Sequence, residues 1–340
     1  MTLDRHSPTA HAAWHDLLRL LLDDCMSDLR GTPTRVERGG KHYWYDSYRV
    51  GTEVRKAYIG EEAPELLARI ERHRELKTEA EARAAERARL VRILRAERFM
   101  GIDAASGSLL AAMAKAGVFR LGGTLVGTQA FRLYEGELGV RYRFDDLAQT
   151  GDIDIASFER LSLVLDDQAQ PSAAEVLAGF AFDPVPSLTG DQTWRWRQSK
   201  GNALVEFLTP AFGEEGQRPL AALGVSAQAL HHLNYLIAEP IPAAVLYRSG
   251  VLVQIPRPER FAIHKLIVAA RREGRDRIKA SKDRRQAAFL IEVLAEDRPD
   301  DLRDAYADAL SRGPKWRERI EATLGRMPEV AGKLRGVASE

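Results

Sequence analysis

The stretch from Leu121 to Ala156 constrains the fold of this chain most. An apolar run over residues 118–126 leads into it and predicts a strand, and residues 129–138 then place apolar side chains at the spacing of one buried helix face. Gly127 and Thr128 lie at the junction. Free backbone N–H groups and the helix dipole attract phosphate at such a helix start, and glycine lets the backbone approach closely. The junction therefore predicts a phosphate-binding turn.

Two aspartates near the end of this stretch, Asp152 and Asp154, are separated by one apolar residue. Alternate residues of a strand face the same side, so the two carboxylates lie side by side while Ile153 and Ile155 point into the core. Carboxylates this close repel each other unless a cation lies between them or one is protonated. Hard oxygen ligands suit Mg²⁺ or Mn²⁺. The pair predicts a divalent-cation site, and the alternative is a surface turn that carries two aspartates.

The composition of the 340 residues is that of an ordinary globular protein, with 29% charged and 45% hydrophobic residues. The net charge is +1, so nucleic-acid binding would depend on a local patch. The single cysteine, Cys25, excludes an internal disulfide and a cysteine-based metal site, and its apolar surroundings predict a core thiol. The sequence contains neither a membrane-length apolar run nor a signal pattern near Met1. These features predict a cytoplasmic protein.

The N-terminal third predicts a helix over residues 14–29 and a small antiparallel sheet over Val36–Ile59, either a hairpin or a three-strand meander. Glu61–Glu97 predicts a long charged helix or a helical hairpin. The sheet segment combines three tyrosines with four basic residues, which are Tyr43, Tyr45, Tyr48, Lys41, Arg49, Arg55 and Lys56. They form either a nucleic-acid surface or a sheet whose aromatic rings pack on their neighbours.

The stretch Gly201–Pro210 predicts a strand that carries one acid, Glu206, in an otherwise apolar run. A lone carboxylate is costly there unless it is paired or bound to a metal. Glu206 is therefore either a metal ligand or the partner of an arginine on the preceding strand, Arg195 or Arg197.

The C-terminal third predicts a hairpin over Ala243–Ile255 and a helix over Pro258–Arg272, with a proline in its first turn. The segment Arg271–Arg285 is the dense basic patch of the sequence. Two closing helices are predicted over Asp301–Arg326, followed by frayed terminal residues.

Taken in order, these motifs resemble those of the DNA polymerase beta-like nucleotidyltransferase superfamily, in particular the bacterial branch with abortive-infection and MenT-type toxins. That branch carries G-[ST]-x-A-h and, further on, [ST]-x-D-h-D. The chain matches these patterns at 127–131 (GTQAF) and 150–154 (TGDID).

The resemblance spans about Ala104 to Gly325 and implies an α+β fold. This fold has a central mixed sheet, a C-terminal helical subdomain and a small N-terminal helix-plus-β-hairpin module. The parts implied are the N-terminal module, a helical linker, a nucleotidyltransferase core, and a hairpin with the helical subdomain, over residues 1–60, 61–100, 101–240 and 241–330.

The resemblance also implies the roles of individual residues. Glu206 would be the third carboxylate, where the family has aspartate in V-D-L-L-T-P, and glutamate lengthens the arm. Lys265 would contact the nucleotide phosphates, the alternative being a surface lysine. Lys282 and Asp283 match a basic-aspartate pair before an apolar helix, the alternative being that Asp283 is a helix N-cap or first-turn acid. The implied catalytic and metal-binding residues are Asp152, Asp154 and Glu206; the implied nucleotide-binding residues are Gly127, Thr128, Lys265, Lys282 and Asp283.

The function implied is Mg²⁺- or Mn²⁺-dependent transfer of a nucleotidyl group from an NTP to an acceptor hydroxyl. An RNA 3′ end, such as that of tRNA, is the first choice of acceptor, in a toxin or defence protein with an antitoxin protein as a partner. A non-catalytic nucleic-acid-binding or toxin–antitoxin interaction module is the second hypothesis. The two differ in whether NTP binding requires the metal.

Overall fold

The structure is a computed structural model, and it describes residues 4–24, 31–38, 40–50, 53–141, 151–158, 168–186, 192–272 and 277–339. Cys25, Thr150 and part of the basic segment therefore lie outside the described residues. The chain forms two compact units. The larger unit consists of Met1–Pro8, Met113–Ala243 and Val253–Glu340, and the smaller unit of Thr9–Ala112 and Ala244–Leu252.

The smaller unit contains the predicted N-terminal module. Its elements are α1 (Pro8–Asp24), β1 (Thr32–Arg38), β2 (Lys41–Val50), β3 (Glu53–Glu61) and α2 (Pro64–Ala96). The three strands form one antiparallel sheet in the order β1-β2-β3, which confirms the predicted small sheet.

Ion pairs and one buried tryptophan hold these elements together. Asp24 at the end of α1 accepts hydrogen bonds from Arg83 and Arg87 of α2. Trp44 of the sheet is buried and donates its indole N–H to Glu62 at 3.0 Å. Arg35 pairs with the same glutamate through two N–H groups.

The next helix, α3 (Ala104–Ala116), lies mostly in the smaller unit, and the larger unit continues from Met113 with β4 (Thr124–Val126), α4 (Gly127–Leu138), β5 (Asp152–Ala156) and α5 (Ala173–Gly179). The strand predicted over residues 118–126 is wrong in its first half. Residues 117–122 form turns instead, and two glycines there adopt left-handed conformations, with φ of 94° and 91°. Val118, Phe119 and Leu121 are buried by these turns, which explains the apolar run.

A mixed sheet lies at the centre of this unit, as predicted. Its remaining strands are β6 (Phe182–Pro184), β7 (Arg195–Gln198), β8 (Leu204–Pro210), β9 (Gln217–Leu220) and β10 (Val225–Leu230). The strand order is β4-β5-β8-β10-β9, and β7 pairs with both β6 and β8. β8 is parallel to β5 and β10 but antiparallel to β7.

The C-terminal part supplies the predicted hairpin and helical subdomain. Its elements are α6 (Leu233–Leu236), β11 (Ile241–Val245), β12 (Val251–Ile255), α7 (Pro258–Arg271), α8 (Arg277–Asp297), α9 (Pro299–Ser311), α10 (Pro314–Leu324) and α11 (Pro328–Ser339). The prediction of frayed terminal residues is wrong, because α11 buries Val330, Leu334 and Val337 along one face. Within the described residues, no helix combines the length and apolar character needed to cross a membrane.

Residues 4–8 form an N-terminal strap on the larger unit. His6 N donates to Gly139 O, and Arg141 N donates to Asp4 O, at 2.9 and 2.8 Å. The His6 ring is buried and contacts Glu135 of α4 at 3.0 Å. Arg5 forms ion pairs with the last two residues of α8, Glu296 and Asp297. The strap therefore joins α4 to the end of α8.

Candidate active site

The two aspartates of β5 lie as the alternation predicts. Ile153 and Ile155 are buried, Asp154 is half-buried, and Asp152 at the start of the strand is exposed. β4 runs antiparallel beside them and pairs Val126 with Asp154. The end of β4 is thus brought next to the carboxylates.

Gly127 begins α4 directly against Asp154. Its φ is +64°, in the left-handed region, and a Cβ added there would lie 2.4 Å from Asp154 Oδ2. Only glycine fits both the backbone conformation and the space. Thr128 follows in the first turn and is half-buried. The predicted phosphate-binding turn and the predicted carboxylates therefore lie in one place.

The register of the neighbouring strands places two further charged side chains in a row with Asp154. Asp154 pairs with Glu206 of β8, and Glu206 pairs with Arg195 of β7. Paired residues of neighbouring strands point to the same face, so the three side chains line one surface. Arg195 Nε lies 2.7 Å from Glu206 Oε1, and the guanidinium stacks over the Trp194 ring at 4.4 Å. The ion pair considered for Glu206 is present.

The row carries excess negative charge at its centre. Burial, together with the charges of Glu206 and Asp152, raises the pKa of Asp154 to about 7. The charges of Lys265 and Lys279 oppose this shift. Both lysines therefore act electrostatically on Asp154, and the carboxylate environment favours binding of a cation.

Lys265 and Asp283 form a buried ion pair with Arg272. Lys265 Nζ lies 2.6 Å from Asp283 Oδ1, and Arg272 Nε lies 2.6 Å from Oδ2. Asp283 is 3% exposed and Lys265 is 9% exposed, so neither an ordinary surface lysine nor a first-turn acid describes them. α8 begins at Arg277, which places Asp283 inside the helix, with the half-buried Lys282 before it. Two motifs that lie 18 residues apart in sequence thus meet.

Comparison with known proteins identifies the family. Residues 104–311, more than half of the chain, match a family model described as Nucleotidyltransferase. The chain belongs to this nucleotidyltransferase family. Residues 12–69 of the nucleotidyltransferase also match a model described as Domain of unknown function (DUF6788). No curated protein and no solved structure matches the chain.

Asp152, Asp154 and Glu206 are the metal ligands that the resemblance implies for this nucleotidyltransferase. Among the described residues, no three His, Cys, Asp or Glu side chains form a group placed to hold a metal ion. Asp152 and Asp154 fit a divalent cation by their oxygen donors and by the negative charge around Asp154. Glu206 is held by Arg195, so its role as a third ligand stays a prediction.

Sequence reasoning missed three features of the nucleotidyltransferase site. Arg272 holds Asp283, and only its place in the basic segment hinted at a role. Lys279 influences Asp154 from the first turn of α8. Gln129 is 3% exposed in the first turn of α4, and its Nε2 has no hydrogen-bond partner in the part of the chain that the structure describes. A buried amide of this kind is a group that a bound ligand satisfies.

Proposed function

We propose that this protein transfers a nucleotidyl group from an NTP to the 3′ hydroxyl of an RNA such as tRNA, with Mg²⁺ or Mn²⁺. One observation carries the proposal: the start of α4 at Gly127 packs against the Asp154 carboxylate. A phosphate held by the first turn of α4 would therefore lie beside the two aspartates of β5. Membership of a nucleotidyltransferase family supports the same reaction class.

Backbone N–H groups and one lysine are the groups proposed to bind the triphosphate. The Gly127-Thr128 turn offers backbone N–H groups to the triphosphate. Lys265 offers a cation whose charge already reaches Asp154, and Asp283 fixes the lysine in place. Lys265 and the N–H groups of the turn stabilise the negative charge that develops as pyrophosphate leaves.

Asp152 and Asp154 are the proposed ligands of the metal. When bound, a divalent cation supplies charge neutralisation and activates the acceptor hydroxyl. Glu206 joins them only if its carboxylate leaves Arg195, which then keeps its stack on Trp194. Arg195 therefore sets how readily Glu206 becomes available.

The resemblance to abortive-infection and MenT-type toxins supports an RNA acceptor, a toxin or defence role, an antitoxin partner and action in the cytoplasm. These finer assignments belong to the proposal. They rest on the matched motifs and not on a contact in the structure.

The test is incubation with each α-labelled NTP, Mg²⁺ or Mn²⁺, and total cellular RNA. The matched variant is Asp152→Asn, which keeps the size of the exposed side chain and removes its charge. Label in RNA with the wild type only, and only with metal, is expected. Equal labelling by Asp152→Asn would contradict the proposal.

The Arg195–Glu206 ion pair favours a second candidate, a non-catalytic protein that binds nucleotide or RNA without metal. NTP binding measured with and without EDTA separates the two. The enzyme should lose NTP affinity in EDTA, whereas the binding protein should keep it.

A further inference from the structure

A second group of cationic side chains lies at the far end of β10. We call it the His232 cluster: it consists of Glu215, His231, His232, Arg271, Trp316 and Arg319. The residues come from four parts of the larger unit. The proposed transfer reaction uses none of them.

The His232 ring presents one N–H group that has no acceptor. Arg319 Nη1 donates to His232 Nε2 at 2.5 Å, so a neutral ring carries its proton on Nδ1. Nδ1 is buried and has no hydrogen-bond partner among the described residues. Trp316 packs edge-on against the ring, with centroids 4.4 Å apart, and fixes its orientation. A buried donor left unsatisfied is costly, and an oxygen of a ligand would satisfy it.

The charges around this donor favour an anion. Arg319, Arg271 and His231 surround the ring, and burial together with these groups lowers the pKa of His232 to about 4. The ring is therefore neutral near pH 7 and acts as a hydrogen-bond donor, while the two arginines supply positive charge. The opposing group is Glu215, which accepts from Arg271 at 3.2 Å and from His231 N at 3.1 Å. Two arginines against one carboxylate leave a positive excess.

The backbone of His232 adopts an unusual conformation. Its φ is 71°, in the left-handed region that residues other than glycine seldom occupy. The surrounding contacts hold the residue in a conformation that its own preferences disfavour. The ring is positioned by the fold.

The end of α7 connects the His232 cluster to the candidate active site. Arg271 points to Glu215 in the cluster, and Arg272 holds Asp283 and thereby Lys265. The two sites are nevertheless separate. Leu230 pairs with Pro210, four residues along β8 from Glu206, which is about 13 Å of strand. A phosphate at the cluster is therefore too far along the sheet to contact a cation held by the aspartates of β5.

We propose that the His232 cluster binds a backbone phosphate of the acceptor RNA while the nucleotide occupies the turn at Gly127. The inference rests on the proposed function for the identity of the acceptor. Phosphate is the ligand that matches a neutral imidazole N–H donor in a cluster that also holds two arginine side chains. The distance from the aspartates assigns this phosphate to the acceptor and not to the NTP.

The test measures binding of fluorescently labelled bulk bacterial tRNA by anisotropy over a series of KCl concentrations, without NTP or metal. Arg319→Gln should weaken binding and reduce the slope of log affinity against log salt by about 0.7–0.9, the loss of one phosphate contact. The control Arg335→Gln removes the same charge from an exposed position on α11 and should leave both quantities unchanged. Equal affinity and slope for wild type and Arg319→Gln would overturn the inference.

A second variant is expected to raise the tRNA affinity, an effect that misfolding would not produce. Glu215→Gln removes the opposing carboxylate and frees Arg271, so it should tighten tRNA binding. Unchanged or weaker binding by Glu215→Gln would count against the site. A loss of Mg²⁺–NTP affinity in Arg319→Gln, with tRNA affinity intact, would assign the cluster to the nucleotide and overturn its role in acceptor binding.

Transfer assays separate this inference from the proposed function. Asp152→Asn should abolish transfer and keep cluster-dependent tRNA binding. If the wild type binds tRNA through the cluster but transfers no nucleotide, the proposed function fails and the phosphate site stands. If it transfers nucleotide with the same KM for tRNA in wild type and Arg319→Gln, the phosphate site fails alone.

Discussion

Gly127 illustrates how one residue limits what the site accepts. Replacing it by alanine forces a Cβ against Asp154 and keeps an unfavourable φ, which costs about 1–2 kcal/mol of stability. We expect Gly127→Ala to lose NTP binding and transfer, measured by NTP titration and labelling. Gly151→Ala is the control, since no atom of the described residues lies within 4 Å of its added Cβ. Full activity of Gly127→Ala would show that the turn does not hold the nucleotide.

Asp283 compensates the buried cation of Lys265 and the partly exposed cation of Arg272. Removing one partner from a buried ion pair leaves uncompensated charge and costs about 3–5 kcal/mol. We expect Asp283→Ala to lower the free energy of unfolding in urea by this amount. Asp300→Ala, whose carboxylate is 80% exposed, should change it little. Similar stability of the two variants would show that solvent compensates Lys265 and Arg272.

His264 gives the stability a defined pH dependence. Burial, helped by the charges of Lys265, His232 and Arg271, lowers its pKa to about 3, below about 6.5 in the unfolded chain. Its contribution is therefore present above pH 6.5 and is lost as the pH falls toward 3. We expect His264→Leu to reduce the slope of unfolding free energy between pH 6 and 4 by up to about 1.4 kcal/mol per pH unit. The slope is measured by urea unfolding at several pH values, with His15→Gln on α1 as the control. An unchanged slope in His264→Leu would contradict this prediction.

At the scale of the elements, strands β5, β8 and β7 place Asp154, Glu206 and Arg195 side by side on one face of the sheet. Arg195→Gln releases Glu206 from its ion pair. If Glu206 is a metal ligand, this variant should lower the Mg²⁺ concentration for half-maximal transfer, and Glu206→Gln should raise it. The half-maximal Mg²⁺ concentrations of both variants are measured by titrating the labelling reaction with Mg²⁺. Arg197→Gln, on the same strand but paired with Leu204, is the control. A higher Mg²⁺ requirement in Arg195→Gln would exclude this role for Glu206.

The sequence predicted those parts of the site that lie within single elements. Asp152, Asp154 and Gly127 follow from a two-residue alternation and one helix start, so local patterns sufficed. The partner of Glu206 depends on the register of β7 against β8, and sequence left Arg195 and Arg197 equally open. Sequence left open whether Asp283 belongs to the site or to a helix start, and the second alternative is wrong because α8 begins earlier, at Arg277, within a densely charged segment. The apolar residues before β4 were misassigned because turns built on two glycines bury side chains as well as a strand does.

At the scale of the whole molecule, the larger unit is discontinuous in sequence, since the N-terminal strap precedes the smaller unit. Deleting residues 1–7 removes the His6–Glu135 contact and the ion pairs of Arg5. We expect the deletion to lower the thermal unfolding temperature of the full chain by several degrees, because about 1–3 kcal/mol of buried contact is lost. Arg5→Gln alone should have a smaller effect, since its ion pairs are partly exposed. An unchanged unfolding temperature would mean that α4 and α8 need no strap.

The strap also sets an order of events during synthesis. Arg5 and Asp297 are 292 residues apart, and a ribosome adding about 5–20 residues per second needs about 15–60 s between them. Early in that interval the strap lacks α4, and until the end of it the strap lacks the last turn of α8, while residues 9–112 of the smaller unit emerge before either helix. The strap therefore docks late, after the helices that it joins have been made.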